Sequence, residues 1–470
     1  MKYPSRCTAF LSGLLLALTA AFPAAAQTVR PGDDGTTLEQ IIVFGRHSVR
    51  SPTASQDTLK TYAVDLYPIF PVQPGSLTPV QPGYLTPHGR EAAALMGSYF
   101  RSYLLHERLL TGRAQTDLAR SYFRANSIQR SNVTAAFFGA GLIPGATIPV
   151  HSFPLGTTDP VFDPLAAKVA TVDPGRAEIE VKGIYNSGPA LGSAYAEERS
   201  LLRSVLFAYP PGTQPPPPAP TGKVDVASQP VLLEATPIPE TGAVINLGGL
   251  ENSQDAADAF VMEYTAGLPL EQVAWGRLSL DAISRESRME QMIFEVSLRS
   301  PYLARVQSSN AASHILRTME QVVIGDDIAG GFGNARSRVV VVISSDGYEA
   351  GLAGLLNLHW LLPGYQKDFC APGGALVFEL RRSRRSSDHI VRAFYTSQTF
   401  DQLRNLTPLT LDSPPATMQL LIPVDGQTPP NLDLPFDVFQ KLLRKAIDPT
   451  CVDDPRTEPL PGVLTGVPFQ

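Results

Sequence analysis

Arg46, His47 and Arg50 lie close together at the end of an apolar run, Ile41-Ile-Val-Phe-Gly45, and Ser51-Pro52 follow them. An apolar, β-branched run of that length reads as a buried strand. Side chains just past the carboxyl end of such a strand face the crevice where ligands bind in open α/β sheets. Two guanidinium groups there offer planar, permanently charged donor forks that suit a phosphate. A neutral histidine between them can attack phosphorus, imidazole being one of the groups used in covalent catalysis. The alternative is a strand edge with solvated arginines and an incidental histidine.

The elements that must position these residues alternate along the chain. A strand is expected at 39–45. After a proline-rich excursion comes a helical stretch over 86–110, then a strand at 119–125 and a helix over 128–141 with Gly141 at its end. An extended piece follows at 148–150. Further on, a strand at 337–343 precedes a helix over 349–358, and two more strands follow at 375–381 and 390–395. Strands alternating with helices imply an α/β fold, a mostly parallel sheet covered by helices on both faces. Residues 250–325 instead carry helical spacing, as in Met289, Met292, Ile293 and Val296. Residues 152–330 are therefore expected to form an inserted, mainly α-helical cap, with 27–151 and 331–470 as the core domain. The proline run at 209–220 reads as an exposed spacer.

At the N-terminus, Lys2 and Arg6 precede an apolar run from Ala9 to Phe22 and an Ala24-Ala25-Ala26 cleavage pattern. Residues 1–26 thus read as a secretory signal peptide, and the mature protein is expected to be periplasmic or secreted, with no membrane contact after cleavage. Loss of the two leader cations takes the formal net charge from −6 to −8. Such a chain has no general attraction for nucleic acid, so phosphate affinity must come from a local arginine cluster. Cys370 and Cys451 remain after Cys7 leaves, and an even pair in an oxidising compartment suggests one disulfide, contributing about 4–5 kcal/mol. Two unpaired buried thiols are the competing reading. No Walker loop, dinucleotide fingerprint or metal-ligand spacing is found, so neither metal nor organic cofactor is expected.

The opening segment resembles the Arg-His-Gly-x-Arg-x-Pro signature of the histidine acid phosphatases, the branch containing bacterial phytases and glucose-1-phosphatases. The resemblance continues at Leu85-Thr86-Pro87-His88-Gly89, Arg130 with Thr134, Asp159-Pro160, Gly267-Leu268-Pro269, Trp275-Gly276-Arg277, Leu362-Pro363-Gly364 and Pro372-Gly373-Gly374. It implies a phosphomonoesterase acting on a small-molecule phosphate monoester, phytate-like or sugar-phosphate-like. By the same resemblance His47 is the nucleophile that becomes phosphohistidine, Arg46, Arg50 and Arg130 bind phosphate oxygens, and Asp346 protonates the leaving alcohol. Asp258, in the cap, aligns loosely with an acidic residue of the family. Taken alone, Arg130 could be a helix-surface charge and Asp346 a helix N-cap.

This chain departs from the family at Ser344-Ser345-Asp346-Gly347-Tyr348. Ser345 replaces a second histidine that normally shares in phosphate binding, Tyr348 stands where a polar amide is common, and Ser48 replaces a glycine after the nucleophile. Losing one oriented donor costs on the order of 10²–10³ in rate, and the Ser345 hydroxyl can still donate. Weakened or respecified catalysis is therefore expected, the alternative being a non-catalytic binder of phosphate esters. Four other histidines have plainer readings: His88 at a helix start, His151 at the crossing into the cap, His359 as a cap or packing residue and His389 in a solvated loop.

Overall fold

Ile41 and Val43 lie on one side of their strand, Ile42 and Phe44 on the other, and all four are buried. A strand covered on both faces needs such an unbroken apolar run, and here it forms β1 at the centre of a sheet. The computed structural model describes residues 34–453, apart from 74, 211, 214–216, 240–241 and 425–430, together with 461–462. The leader expected at 1–26 lies outside the described residues, as does part of the proline run at 209–220.

The first part of the chain forms β1 (Thr36–Arg46), α1 (Gln56–Tyr62), α2 (Pro87–His106), α3 (Ala114–Leu118), β2 (Ser121–Ala125), α4 (Gln129–Leu142) and β3 (Val150–His151). The inserted segment contains helices α5 (Pro174–Tyr185), α6 (Gly188–Ala194) and α7 (Ala196–Leu206), and the hairpin β4 (Val231–Ile238) with β5 (Gly242–Gly248). It continues through α8 (Gly249–Thr265), α9 (Leu280–Glu286), α10 (Arg288–Ser297) and α11 (Pro301–Ile324). The chain then returns through β6 (Val339–Ser344), α12 (Asp346–Leu355), β7 (Ala375–Ser383), β8 (His389–Ser397) and α13 (Phe400–Arg404). It closes with β9 (Ala416–Leu420), β10 (Leu434–Pro435), α14 (Phe436–Ala446) and β11 (Pro461–Gly462).

Among the described residues the main sheet runs β10-β8-β7-β1-β6-β2-β3-β11, with β9 also paired to β8. The four neighbours β1, β6, β2 and β3 are mutually parallel, and antiparallel strands extend the sheet on both sides. Helices α2 and α4 cover one face through Met96, Phe100, Phe138 and Leu142, packed on Ile41, Val43 and Val341. The opposite face carries Ile42, Phe44, Val340 and Val342, in one cluster with Ile315 of α11, Leu352 of α12 and Phe439 of α14. The α/β architecture with helices on both faces is thus as expected, and the parallel part of the sheet is its centre. Helix α11 closes the inserted segment and packs against α12 and α14.

Two expectations need correction. Gly141 does not end a helix: α4 continues to Leu142, and a Cβ at Gly141 would stand 2.0 Å from the Ala94 carbonyl oxygen of α2. The glycine is there because the two helix backbones touch. The expected disulfide is not formed either. Cys370 and Cys451 are both free and buried. Cys370 lies next to Arg46 beneath the site described below, whereas Cys451 ends a short 3₁₀ turn against α11.

Candidate active site

Three parallel strands end at one edge of the sheet, and each is followed by residues expected to do chemistry. Arg46 closes β1 and pairs in register with Ser344, the last residue of β6. His47 therefore sits beside Ser345 and Asp346, although nearly 300 residues separate them along the chain. Ala125 of β2 pairs with Ile343, and the turn into α4 brings Arg130, the second residue of that helix, to the same edge.

The loop after β1 is held from all sides. The His47 amide donates to the Ser344 carbonyl at 2.8 Å, and the His47 carbonyl accepts from the Gly373 amide at 2.9 Å. The Ser48 amide donates to Thr134 Oγ1 at 3.1 Å. Thr86 caps α2 by accepting from the Gly89 amide, and its own hydroxyl donates to the Val49 carbonyl at 3.0 Å. A Cβ at Gly89 would stand 2.1 Å from that same carbonyl oxygen, so only glycine lets α2 abut the loop. The Thr86-Pro87-His88-Gly89 motif thus serves as a brace for the residues around His47.

His47 is 1% exposed, and its Nδ1 lies 2.8 Å from the Ser48 carbonyl oxygen. A carbonyl only accepts, so Nδ1 carries the proton and Nε2 keeps its lone pair. Burial, then the charges of Arg130, Arg46 and Arg50, hold the imidazole pKa well below its ordinary value. The side chain is therefore neutral, in the tautomer a nucleophile needs.

Arg46 donates to the Cys370 carbonyl, and its Nη2 lies 2.7 Å from Asp346 Oδ2 and 3.7 Å from Glu290 Oε1. Arg50 makes a two-pronged pair with Asp258 of α8, Nη1 to Oδ2 at 2.8 Å and Nη2 to Oδ1 at 3.1 Å, both side chains being buried. Arg130 donates to the Gly83 carbonyl at 3.3 Å, and burial followed by repulsion from Arg50 brings its pKa down to about 10. Asp346 is the first residue of α12 rather than its cap, which is Ser345, and Ser345 makes no side-chain capping bond. Burial would raise the Asp346 pKa, but Arg46, Arg50 and Arg130 outweigh it and keep the carboxyl below its usual range. Behind Arg46, burial pushes Glu349 up to about 8. Tyr348 turns away from this cluster: its hydroxyl donates to Asp163 and its ring packs on Phe162.

The structure therefore brings together Arg46, His47, Arg50, Arg130, Ser345 and Asp346. Asp258 joins them as the partner of Arg50. Glu290 was missed, because it reads as the polar flank of the Met289–Val296 stripe, although it is one of the few residues that this half-buried helix buries. The other histidines lie elsewhere. His88 Nε2 is 2.7 Å from the Leu403 carbonyl, His151 Nδ1 is 3.0 Å from the Phe123 carbonyl, and His359 Nδ1 is 2.7 Å from Asp368 Oδ2. His389 opens β8 and meets Glu39 at 3.0 Å, so it belongs to a strand and not to a loop.

The chain as a whole is similar to known proteins. Residues 37–187 match the histidine phosphatase superfamily (branch 2). The chain is 26% identical to a glucose-1-phosphatase of Providencia rettgeri over 451 residues, covering 93% of this chain and 99% of the relative. It is also 26% identical to phytase AppA of Escherichia coli over 393 residues, covering 82% and 86%. Among solved structures, the phytase of Hafnia alvei in complex with tartrate superposes with a TM-score of 0.77 at 25% identity, covering 90% of this chain and all of that one.

Proposed function

We propose that this chain, which carries a histidine phosphatase superfamily (branch 2) domain, is a phosphoric monoester hydrolase that works through a phosphohistidine at His47. One observation carries the reading. A neutral imidazole of fixed tautomer lies among three arginines with a carboxyl group on one of them. The similarity to glucose-1-phosphatase and phytase relatives supports the reaction class.

In the first step His47 Nε2 forms a bond to phosphorus while the phosphorus–oxygen bond to the alcohol breaks. Arg46, Arg50 and Arg130 balance the charge spread over the non-bridging oxygens. Asp346 supplies the proton the departing alkoxide needs. The incoming dianion offsets the arginines, raising the Asp346 pKa from its depressed resting value, so turnover is favoured on the acid side of neutrality. In the second step water attacks phosphorus, the nitrogen–phosphorus bond breaks, and the Asp346 carboxylate takes the water proton as inorganic phosphate forms. The substrate is a small phosphate monoester, of the phytate or sugar-phosphate kind. The 1–26 stretch, read as a signal peptide, supports a periplasmic or secreted mature protein.

Brief exposure to ³²P-labelled aryl phosphate, an alkaline denaturing quench and peptide mapping should place the label on His47, and His47→Ala should abolish it. A wild-type enzyme that turns over without the adduct would refute the mechanism. Ser345→His restores one donor and should raise kcat by about 10–100-fold, somewhat below the usual donor effect because Ser345 already supplies a hydroxyl. Phosphate-ester binding with no turnover in wild type, and turnover regained in Ser345→His, would establish a binding protein instead.

A further inference from the structure

Glu290 belongs to α10 in the inserted segment, and nothing in the reaction just described uses it. It is buried, and its Oε1 lies 3.7 Å from Arg46 Nη2, the nitrogen that Asp346 holds at 2.7 Å. Two carboxyl groups from different helices thus address one guanidinium edge. That edge belongs to an arginine expected to receive a phosphate oxygen.

We propose that Glu290 is a positioning residue that gates phosphate binding: protonated, it leaves Arg46 to Asp346 and the phosphate, and ionised, it competes with the phosphate for Arg46. This rests on the phosphatase reading of the same site. The contact length fits the division of labour. Asp346 is at charge-assisted hydrogen-bond distance, whereas Glu290 stands about 1 Å farther off, as a neutral carboxyl beside a guanidinium already paired would. The surroundings agree. Around Glu290 stand Arg46, Asp346 of α12, Asp258 of α8 and Arg50. Helix α9 contributes Glu286, which faces Glu198 instead, and β5 carries no titratable residue. Burial and the two aspartates favour the neutral form, and the two arginines oppose it less strongly, so the Glu290 pKa is raised.

The test is calorimetric titration of inorganic phosphate into wild type, Glu290→Gln and the uncharged, similarly sized Glu290→Met between pH 6 and pH 9. Dividing the wild-type dissociation constant by that of a variant removes the ionisation of phosphate itself. The ratio should rise by at least about tenfold over this interval, with a limiting slope of about tenfold per pH unit once Glu290 is ionised. Wild type alone should also take up close to one proton per phosphate bound at pH 9, measured in buffers of different ionisation enthalpy, and the variants should not. A pH-independent ratio, or equal proton uptake in wild type and variants, overturns the gate while leaving the phosphatase reading intact. Absence of phosphate binding to wild type at every pH refutes the phosphatase reading, and the gate with it.

Discussion

Asp258→Asn tests whether the arginine cluster is built for an anion that the resting protein must replace with its own carboxylates. In the structure both terminal nitrogens of Arg50 are taken by Asp258, at 2.8 and 3.1 Å, and the two side chains are 7% and 6% exposed. Breaking a buried pair by removing one partner costs about 3–5 kcal/mol, because a desolvated charge is left behind. Asparagine keeps the shape and one accepting oxygen, so about 3 kcal/mol of lost stability is expected. Bound phosphate would restore a negative partner to the cluster. At a concentration of 100 times its Kd, phosphate stabilises any one-site protein by about 2.7 kcal/mol. The variant no longer sets a carboxylate against the incoming anion, so its Kd for phosphate should be at least about fivefold lower, near 1 kcal/mol of extra linkage at equal phosphate. Urea unfolding at pH 7, with and without 50 mM phosphate and at constant ionic strength, reads both quantities. A variant as stable as wild type would refute the idea that Arg50 needs a negative partner, and one destabilised but gaining no more from phosphate than wild type does would show that Arg50 and Asp258 form a structural pair unconnected with anion binding.

Two other expectations concern the scaffold around the site. Because the His47 pKa is depressed in the folded state, neutral His47 costs nothing above the unfolded value near 6.5, but stability is lost as pH falls below it. His47→Asn should therefore flatten the fall in unfolding free energy between pH 6.5 and 5 by up to about 1.4 kcal/mol per pH unit, and parallel wild-type and variant curves would contradict a buried neutral imidazole. Gly141→Ala should cost at least about 2–3 kcal/mol, since its Cβ would overlap the Ala94 carbonyl; a variant with an unchanged urea midpoint would mean that α2 and α4 do not cross as described.

Much of the sheet was legible locally. The run Ile41–Phe44 and the run Val339–Ile343 could be nothing but buried strands, because each is apolar on both faces and too short for a buried helix. Their helices followed from spacing. The β4–β5 hairpin was not legible, since its Val231–Ile238 strand contains Pro237 and alternates only part of the way. Gly141 misled because a glycine near the end of a periodic stretch looks the same whether it terminates the helix or admits a neighbouring backbone. The cysteine pair misled for a similar reason: an even count says nothing of which parts of the core the thiols occupy.

Arg46, His47 and Arg50 were readable from the sequence because one short stretch, the end of β1 and the loop after it, carries all three, and the chain there dictates their mutual approach. Asp346 and Arg130 were placed by likeness, each at the mouth of a parallel strand, and the register of β1 with β6 and of β6 with β2 is what brings them to His47. No local pattern foretold that Asp258 would clasp Arg50 or that Glu290 would stand against Arg46. Those contacts join an inserted segment to the sheet across more than two hundred residues of chain. Whether a buried carboxyl keeps or loses its proton is set by the charges that folding gathers around it, which the order of residues does not contain.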